Sequence, residues 1–212
     1  MTRFAHAERE ALCDTFLTVG PEAPTLCGGW KSADLAVHLV IRDGRPDLLL
    51  GEMLPVVGGW AKSRQRAMRH QPWPELVEAV RTGPPIYSPT HIGPVDELVN
   101  LVEFYIHHED VLRGEPGLEH RAIPEAEQRA LWTALSRMAK LMFRRAATGA
   151  ELVSPYGRVV AKSPTRLGSV TIEGTPGELV LAAYGRHRVA DISTRGRDEA
   201  VEALWAGKLG LA

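Results

Sequence analysis

Leu98-Val99-Asn100-Leu101-Val102-Glu103-Phe104-Tyr105-Ile106-His107 is the stretch on which the fold turns. Up to Ile106 it carries one charged residue, Glu103, and its apolar residues cover most of a helix circumference. The pattern predicts a buried helix. A buried carboxylate is costly unless a cation or a hydrogen-bond donor replaces its lost hydration. His107 follows four residues after Glu103, about 40° round a helix at ~100° per residue, so both side chains share one stripe. His108 falls about 140° away by the same rule and cannot easily serve the same site. Asp110, three residues beyond His107, returns to the stripe and can bond the second nitrogen of that ring, as outer partners of metal-bound histidines do.

A third donor comes from Leu35-Ala36-Val37-His38-Leu39-Val40-Ile41, where one histidine sits among apolar neighbours on a second amphipathic segment. His38, Glu103 and His107 make a two-histidine, one-carboxylate set. Such a set suits Zn²⁺, tolerates Ni²⁺ or Fe²⁺, and leaves a coordination position open to water or substrate. The same residues also fit a plainer description. Asp96, Asn100, Glu103, His107 and Asp110 could form the wet stripe of a surface helix, with His38 a satisfied core histidine.

Outward from this stretch, helical periodicity over residues 95–113 is matched by a second strong helix over 124–147, which opens with a proline in its first turn. Residues 4–19, with Phe4, Leu12, Phe16 and Leu17 as apolar positions, read as an amphipathic helix ended by Gly20-Pro21. Ser32 is placed to cap a helix running to residue 50. Weaker helical patterns cover 60–69 and 74–81, and the proline-rich residues 82–94 read as an irregular crossing. After Gly149 the period changes. Residues 152–153, 159–161, 169–172 and 190–194 look like strands, and 176–184 and 198–205 like helices. The expected architecture is mainly α: a helical bundle over 1–148, followed by a small α+β module over 149–212.

Composition narrows the function classes. Lys and Arg total 25 against 26 Asp and Glu, a formal net charge of −1, with no long run of either sign. That argues against nucleic acid or an anionic membrane as the main partner. Hydrophobic residues make up 44% of the chain, yet no apolar run approaches the ~20 residues of a membrane span. Charged residues stand where a secretory signal needs an apolar core, so a cytoplasmic location is expected. Cys13 and Cys27 are the only cysteines, too few for a disulfide scaffold.

Three segments together resemble a known family: Thr25-Leu26-Cys27-Gly28-Gly29-Trp30, Asp34-Leu35-Ala36-Val37-His38-Leu39 and Glu103-Phe104-Tyr105-Ile106-His107. They look like the mycothiol-dependent maleylpyruvate isomerase branch of the DinB-like metal-binding proteins. The resemblance implies a four-helix bundle holding a divalent metal through His38, Glu103 and His107. It also implies mycothiol, the low-molecular-weight thiol of actinobacteria, as cosubstrate. The tail Thr175-Pro176-Gly177-Glu178-Leu179-Val180-Leu181-Ala182-Ala183-Tyr184-Gly185-Arg186 resembles the family's C-terminal module. Its active arginine matches Arg186.

The resemblance implies an isomerase of a maleylpyruvate-like cis-enoyl acid. The same chemistry also fits a thiol S-transferase acting on an electrophilic small molecule. A non-catalytic divalent-metal or small-ligand binder of the same superfamily is the alternative. A metal-independent enzyme with Cys27 as nucleophile is less supported, because no histidine or basic residue is tied to Cys27 by local sequence. Signatures of serine hydrolases, phosphate-binding loops and dinucleotide sites are absent.

Overall fold

The computed structural model describes residues 3–44, 58–83, 94–114, 121–207 and 209–210. The expected irregular crossing over 82–94, including His91, lies almost wholly outside these residues, as does His120. The chain divides into two compact units, Met1–His120 and Arg121–Ala212.

The helices described in the first unit are α1 (Arg3–Val19), α2 (Ser32–Gly44), α3 (Gly58–Arg69), α4 (Trp73–Thr82) and α5 (Pro94–Leu112). Helix α1 packs along α5 and against α4, while α2 packs against α4 and α3. The buried positions of α1, Ala5, Glu8, Arg9, Leu12, Cys13 and Phe16, recur at three- and four-residue spacing and so form one stripe. Leu12 and Phe16 meet Leu35 and Leu39 of α2, Leu76 and Val80 of α4, and Phe104 and Val111 of α5. Leu17, expected in the core, is half exposed instead, because it falls beside the Cys13–Phe16 stripe rather than on it.

Helix α2 is capped differently from the expectation. Ser32 is fully buried and its hydroxyl faces the Ala23 carbonyl at 3.4 Å. The cap comes from Asp34, whose carboxylate accepts the Lys31 backbone N–H at 3.0 Å, the reciprocal half of a capping box.

The second unit comprises α6 (Glu125–Met142), β1 (Gly149–Ser154), β2 (Gly157–Lys162), β3 (Ser169–Gly174), α7 (Pro176–Leu181), β4 (Ile192–Arg195) and α8 (Asp198–Ala206). The sheet order is β2-β1-β3-β4; β1 pairs antiparallel with β2 and parallel with β3, and β3 pairs antiparallel with β4. Helix α6 packs on β2 and α7, and α8 packs on β3. The sequence reading grouped α6 with the bundle by placing a boundary at 148/149. In the structure α6 belongs to the second unit, where Leu131, Leu135 and Met142 are buried. The helix expected over 176–184 leaves α geometry after Leu181 and continues as a π-helical turn, Ala182–Arg186, closed by Gly185 at φ 84°.

The chain is therefore mainly α with a small four-stranded sheet toward the C-terminus, as the change of period after Gly149 leads one to expect. Among the described residues, no helix is long and apolar enough to cross a membrane.

Candidate metal centre

Two helices and one loop of the first unit converge at the C-terminal half of α5. Glu103, His107 and Asp110 occupy one stripe of α5, as their spacing requires. His38 and, one turn later, Arg42 come from α2. The loop between α1 and α2 brings Cys27 and Trp30.

The structure brings the three expected donors together. Glu103 Oε1 lies 3.2 Å from His107 Nε2 and 3.6 Å from His38 Nε2. All three ligand atoms lie within 4.8 Å of one another. For bonds of about 2.0–2.2 Å in tetrahedral geometry, neighbouring donor atoms stand about 3.3 Å apart, close to both distances from Glu103 Oε1. The His38 and His107 rings meet edge to face with centroids 5.4 Å apart, and the partly exposed Trp30 ring lies 5.3 Å from His38. The site is less dry than the apolar sequence around it implies. The side chains of His38 and Glu103 keep 28% and 24% of their surface exposed, while His107 is buried.

Asp110 is fully buried and its Oδ2 lies 3.0 Å from His107 Nδ1. With that nitrogen protonated, the ring presents the Nε2 lone pair to Glu103 and His38, the outer-partner role read from the sequence. His108 faces the opposite way, with Nε2 2.8 Å from Thr15 Oγ1 and Nδ1 3.3 Å from Glu8 Oε2, both on α1. The helical register that separates the adjacent histidines therefore holds.

Charge at the site is balanced by neighbours. Burial alone would raise Glu103, but hydrogen bonds from His107 and His38 and the Arg42 charge outweigh it and hold the carboxyl well below its usual range. Burial opposes a charged His107, yet hydrogen bonds with Asp110, Cys27 and Glu103 and the charge of Glu103 hold its pKa well above the imidazole norm. Arg42 Nε lies 3.3 Å from Glu103 Oε1, and its remaining nitrogens reach Asn100 Oδ1 at 2.9 Å and Asp43 Oδ1 at 2.7 Å.

Two participants were not singled out by sequence as parts of this site. Arg42 sits one helical turn after His38, a spacing that could have flagged it. Cys27 could not have been tied to a histidine by local pattern. Its Sγ lies 2.9 Å from Asp110 Oδ2 and 3.8 Å from His107 Nδ1, across 83 and 80 residues of chain. The other thiol, Cys13, is fully buried in α1, and burial, the leading cause, pushes its pKa up to about 12. A thiol reagent applied to the native protein near neutral pH is expected to modify half-buried Cys27 and to reach Cys13 only on unfolding. Mass mapping of the labelled peptides checks this, and early labelling of Cys13 would contradict the packing.

Of the remaining histidines, His6 and His70 are exposed and His187 stacks on Trp205 at 4.4 Å. Arg186 belongs to the second unit, where its Nη1 donates to the Tyr184 carbonyl at 2.7 Å.

No family model matches the sequence, and no curated protein matches it. Solved structures do. The chain shares its fold with a mycothiol-dependent maleylpyruvate isomerase. The similarity has a TM-score of 0.55 at 18% identity and covers 90% of each chain. A histidine-to-alanine mutant of that isomerase matches equally well, with 17% identity and the same coverage. At this identity the likeness concerns the fold, and any activity must be argued from the site.

Proposed function

We propose that the protein holds one divalent cation through His38, Glu103 and His107 and uses it to activate a low-molecular-weight thiol for attack on a small electrophile. The observation that carries this reading is the convergence of two imidazoles and one carboxylate, at separations suited to a single ion, with His38 and Glu103 partly exposed. The fold shared with a thiol-dependent isomerase supports mycothiol as the thiol and a four-helix arrangement around the site. Zn²⁺ suits the donor set best, with Ni²⁺ or Fe²⁺ compatible.

When bound, the cation supplies Lewis acidity that strips the proton from an entering thiol. The chain's own residues do the rest. Asp110 fixes the His107 tautomer, and Arg42 braces Glu103. Trp30 offers an apolar wall beside His38 for a flat, conjugated substrate. Addition of the thiolate to a cis carbon–carbon double bond conjugated to a carbonyl leaves a single bond free to rotate. Elimination then returns the thiol and the trans product. The same thiolate retained on its electrophile would make the protein a thiol S-transferase. Arg186 is the candidate for holding a substrate carboxylate.

Metal-loaded protein incubated with mycothiol and maleylpyruvate, or with a generic electrophile, is expected to consume substrate. Arg186→Ala should lower that rate while metal content stays unchanged. An absence of turnover across the panel would leave a metal-binding protein.

His107 adds a pH dependence. Hydrogen bonds with Asp110, Cys27 and Glu103 raise its pKa, so protons compete with a cation for this ring. Apparent affinity should therefore rise with pH until the raised pKa is passed. Calorimetric titrations in buffers of different ionisation heat read the released proton directly. Heats independent of buffer would place the ion elsewhere.

A further inference from the structure

We propose that Cys27, His107 and Asp110 form a second cation site, selective for a thiophilic divalent ion and built on the ring edge of His107 that faces away from His38 and Glu103. Cys27 Sγ, His107 Nδ1 and Asp110 Oδ2 lie within 4.8 Å of one another, at mutual distances of 2.9, 3.0 and 3.8 Å. With bonds of about 2.3 Å to sulfur and about 2.0–2.2 Å to nitrogen and oxygen, tetrahedral donors stand about 3.3–3.6 Å apart. Sγ and Nδ1, at 3.8 Å, must close by a few tenths of an ångström, and Asp110 must withdraw from each by well under ~1 Å.

The loop that presents Cys27 is built in advance of any ion. The Thr25 backbone N–H donates to the Trp30 carbonyl at 3.1 Å, Trp30 N–H to the Cys27 carbonyl at 2.7 Å, and Leu26 N–H to the Asp110 carbonyl at 3.0 Å. Gly28 and Gly29 turn the chain at φ 41° and 87°. Gly114 lets the end of α5 approach the loop, since a Cβ there would stand 2.5 Å from the Pro24 carbonyl oxygen. Sulfur is thus held over the imidazole by backbone contacts from both sides.

The chemistry separates the two donor sets. His38, Glu103 and His107 offer two neutral imidazoles and one carboxylate. Cys27, His107 and Asp110 offer thiolate and carboxylate with one imidazole, two negative charges against a divalent ion and a ligand that selects soft metals. A neutral imidazole carries one proton, so occupancy through Nε2 requires Nδ1–H, and occupancy through Nδ1 requires Nε2–H. One ring therefore serves one ion at a time. The two sites therefore exclude each other on one molecule, and the Cys27 site does not require that His38 and Glu103 ever bind a metal.

The test is titration of the full-length protein with Cd²⁺, followed by thiolate-to-cadmium charge-transfer absorption in the ultraviolet. The band should saturate stoichiometrically in the wild type, in Cys13→Ser and in His38→Ala, and vanish in Cys27→Ser. Asp110→Asn should weaken Cd²⁺ binding by about tenfold or more. If that variant does not fold, His107→Gln replaces it with the same expected loss. Absence of the band in the wild type, its survival in Cys27→Ser, or unchanged affinity in the folded Asp110 or His107 variant would overturn the proposal. So would equal loss in His38→Ala, which would assign the ion to the other face of the ring.

Discussion

His107→Ala and His38→Ala are each expected to abolish stoichiometric metal binding at the His38–Glu103–His107 site, while His108→Ala leaves it intact. His107 and His38 each place a ring nitrogen within 3.6 Å of the same carboxylate oxygen, so removing either leaves two donors for a divalent ion. Affinity should fall by more than the roughly 10- to 100-fold that follows loss of an outer partner. Glu103→Gln keeps the shape but removes the charge that offsets the cation, and should behave similarly. His108 is the internal control because it is as buried as His107 and adjacent in sequence, yet bonds Thr15 and Glu8. Its loss should cost about 1–3 kcal/mol of stability through the polar groups it deserts. Metal content by elemental analysis and unfolding by denaturant separate the two effects. Equal metal loss in all three variants would mean that the stripe on α5 is not the ligand face.

That contrast was legible in the sequence because it depends on one element. Helical geometry alone separates His107 from His108 and aligns Glu103, His107 and Asp110. What sequence could not supply was pairing between elements. Nothing near Cys27 announces that it meets Asp110 and His107, since the contact is made by chain segments some eighty residues apart. Nor does the apolar face of α6 say what it packs against. Leu131, Leu135 and Met142 recur with helical spacing, and that pattern serves a sheet as well as a bundle. The placement of α6 in the second unit therefore had no local signal. Glu103 shows the same limit in milder form. Its apolar neighbours promised a dry interior, but the surface left on His38 and Glu103 depends on where α2 crosses α5.

The second large effect is expected from a residue that touches no proposed ligand. Asp43→Ala should destabilise the helical unit by about 3–5 kcal/mol, because it strands a buried cation. Arg9 is only 2% exposed, its Nη2 lies 2.6 Å from Asp43 Oδ2, its Nη1 donates to the Val80 carbonyl at 2.9 Å, and its guanidinium lies 4.3 Å over the Phe104 ring. Burial pulls the Arg9 pKa down and Asp43 is the main influence holding it up. Without that carboxylate the charge keeps a carbonyl and a ring face, too little to replace hydration. Against a typical stability of about 5–15 kcal/mol, the loss is a large fraction. The double variant Arg9→Met, Asp43→Ala removes the stranded charge and should recover part of it, so the two substitutions should be strongly non-additive. Asp43 also holds Arg42, which braces Glu103, so the single variant should bind metal more weakly even where it remains folded. Denaturant unfolding of the wild type, both single variants and the double variant closes the cycle. Additive effects, or a loss below about 1 kcal/mol for Asp43→Ala, would show that the Arg9–Asp43 pair is not what anchors α1 to α2 behind the site.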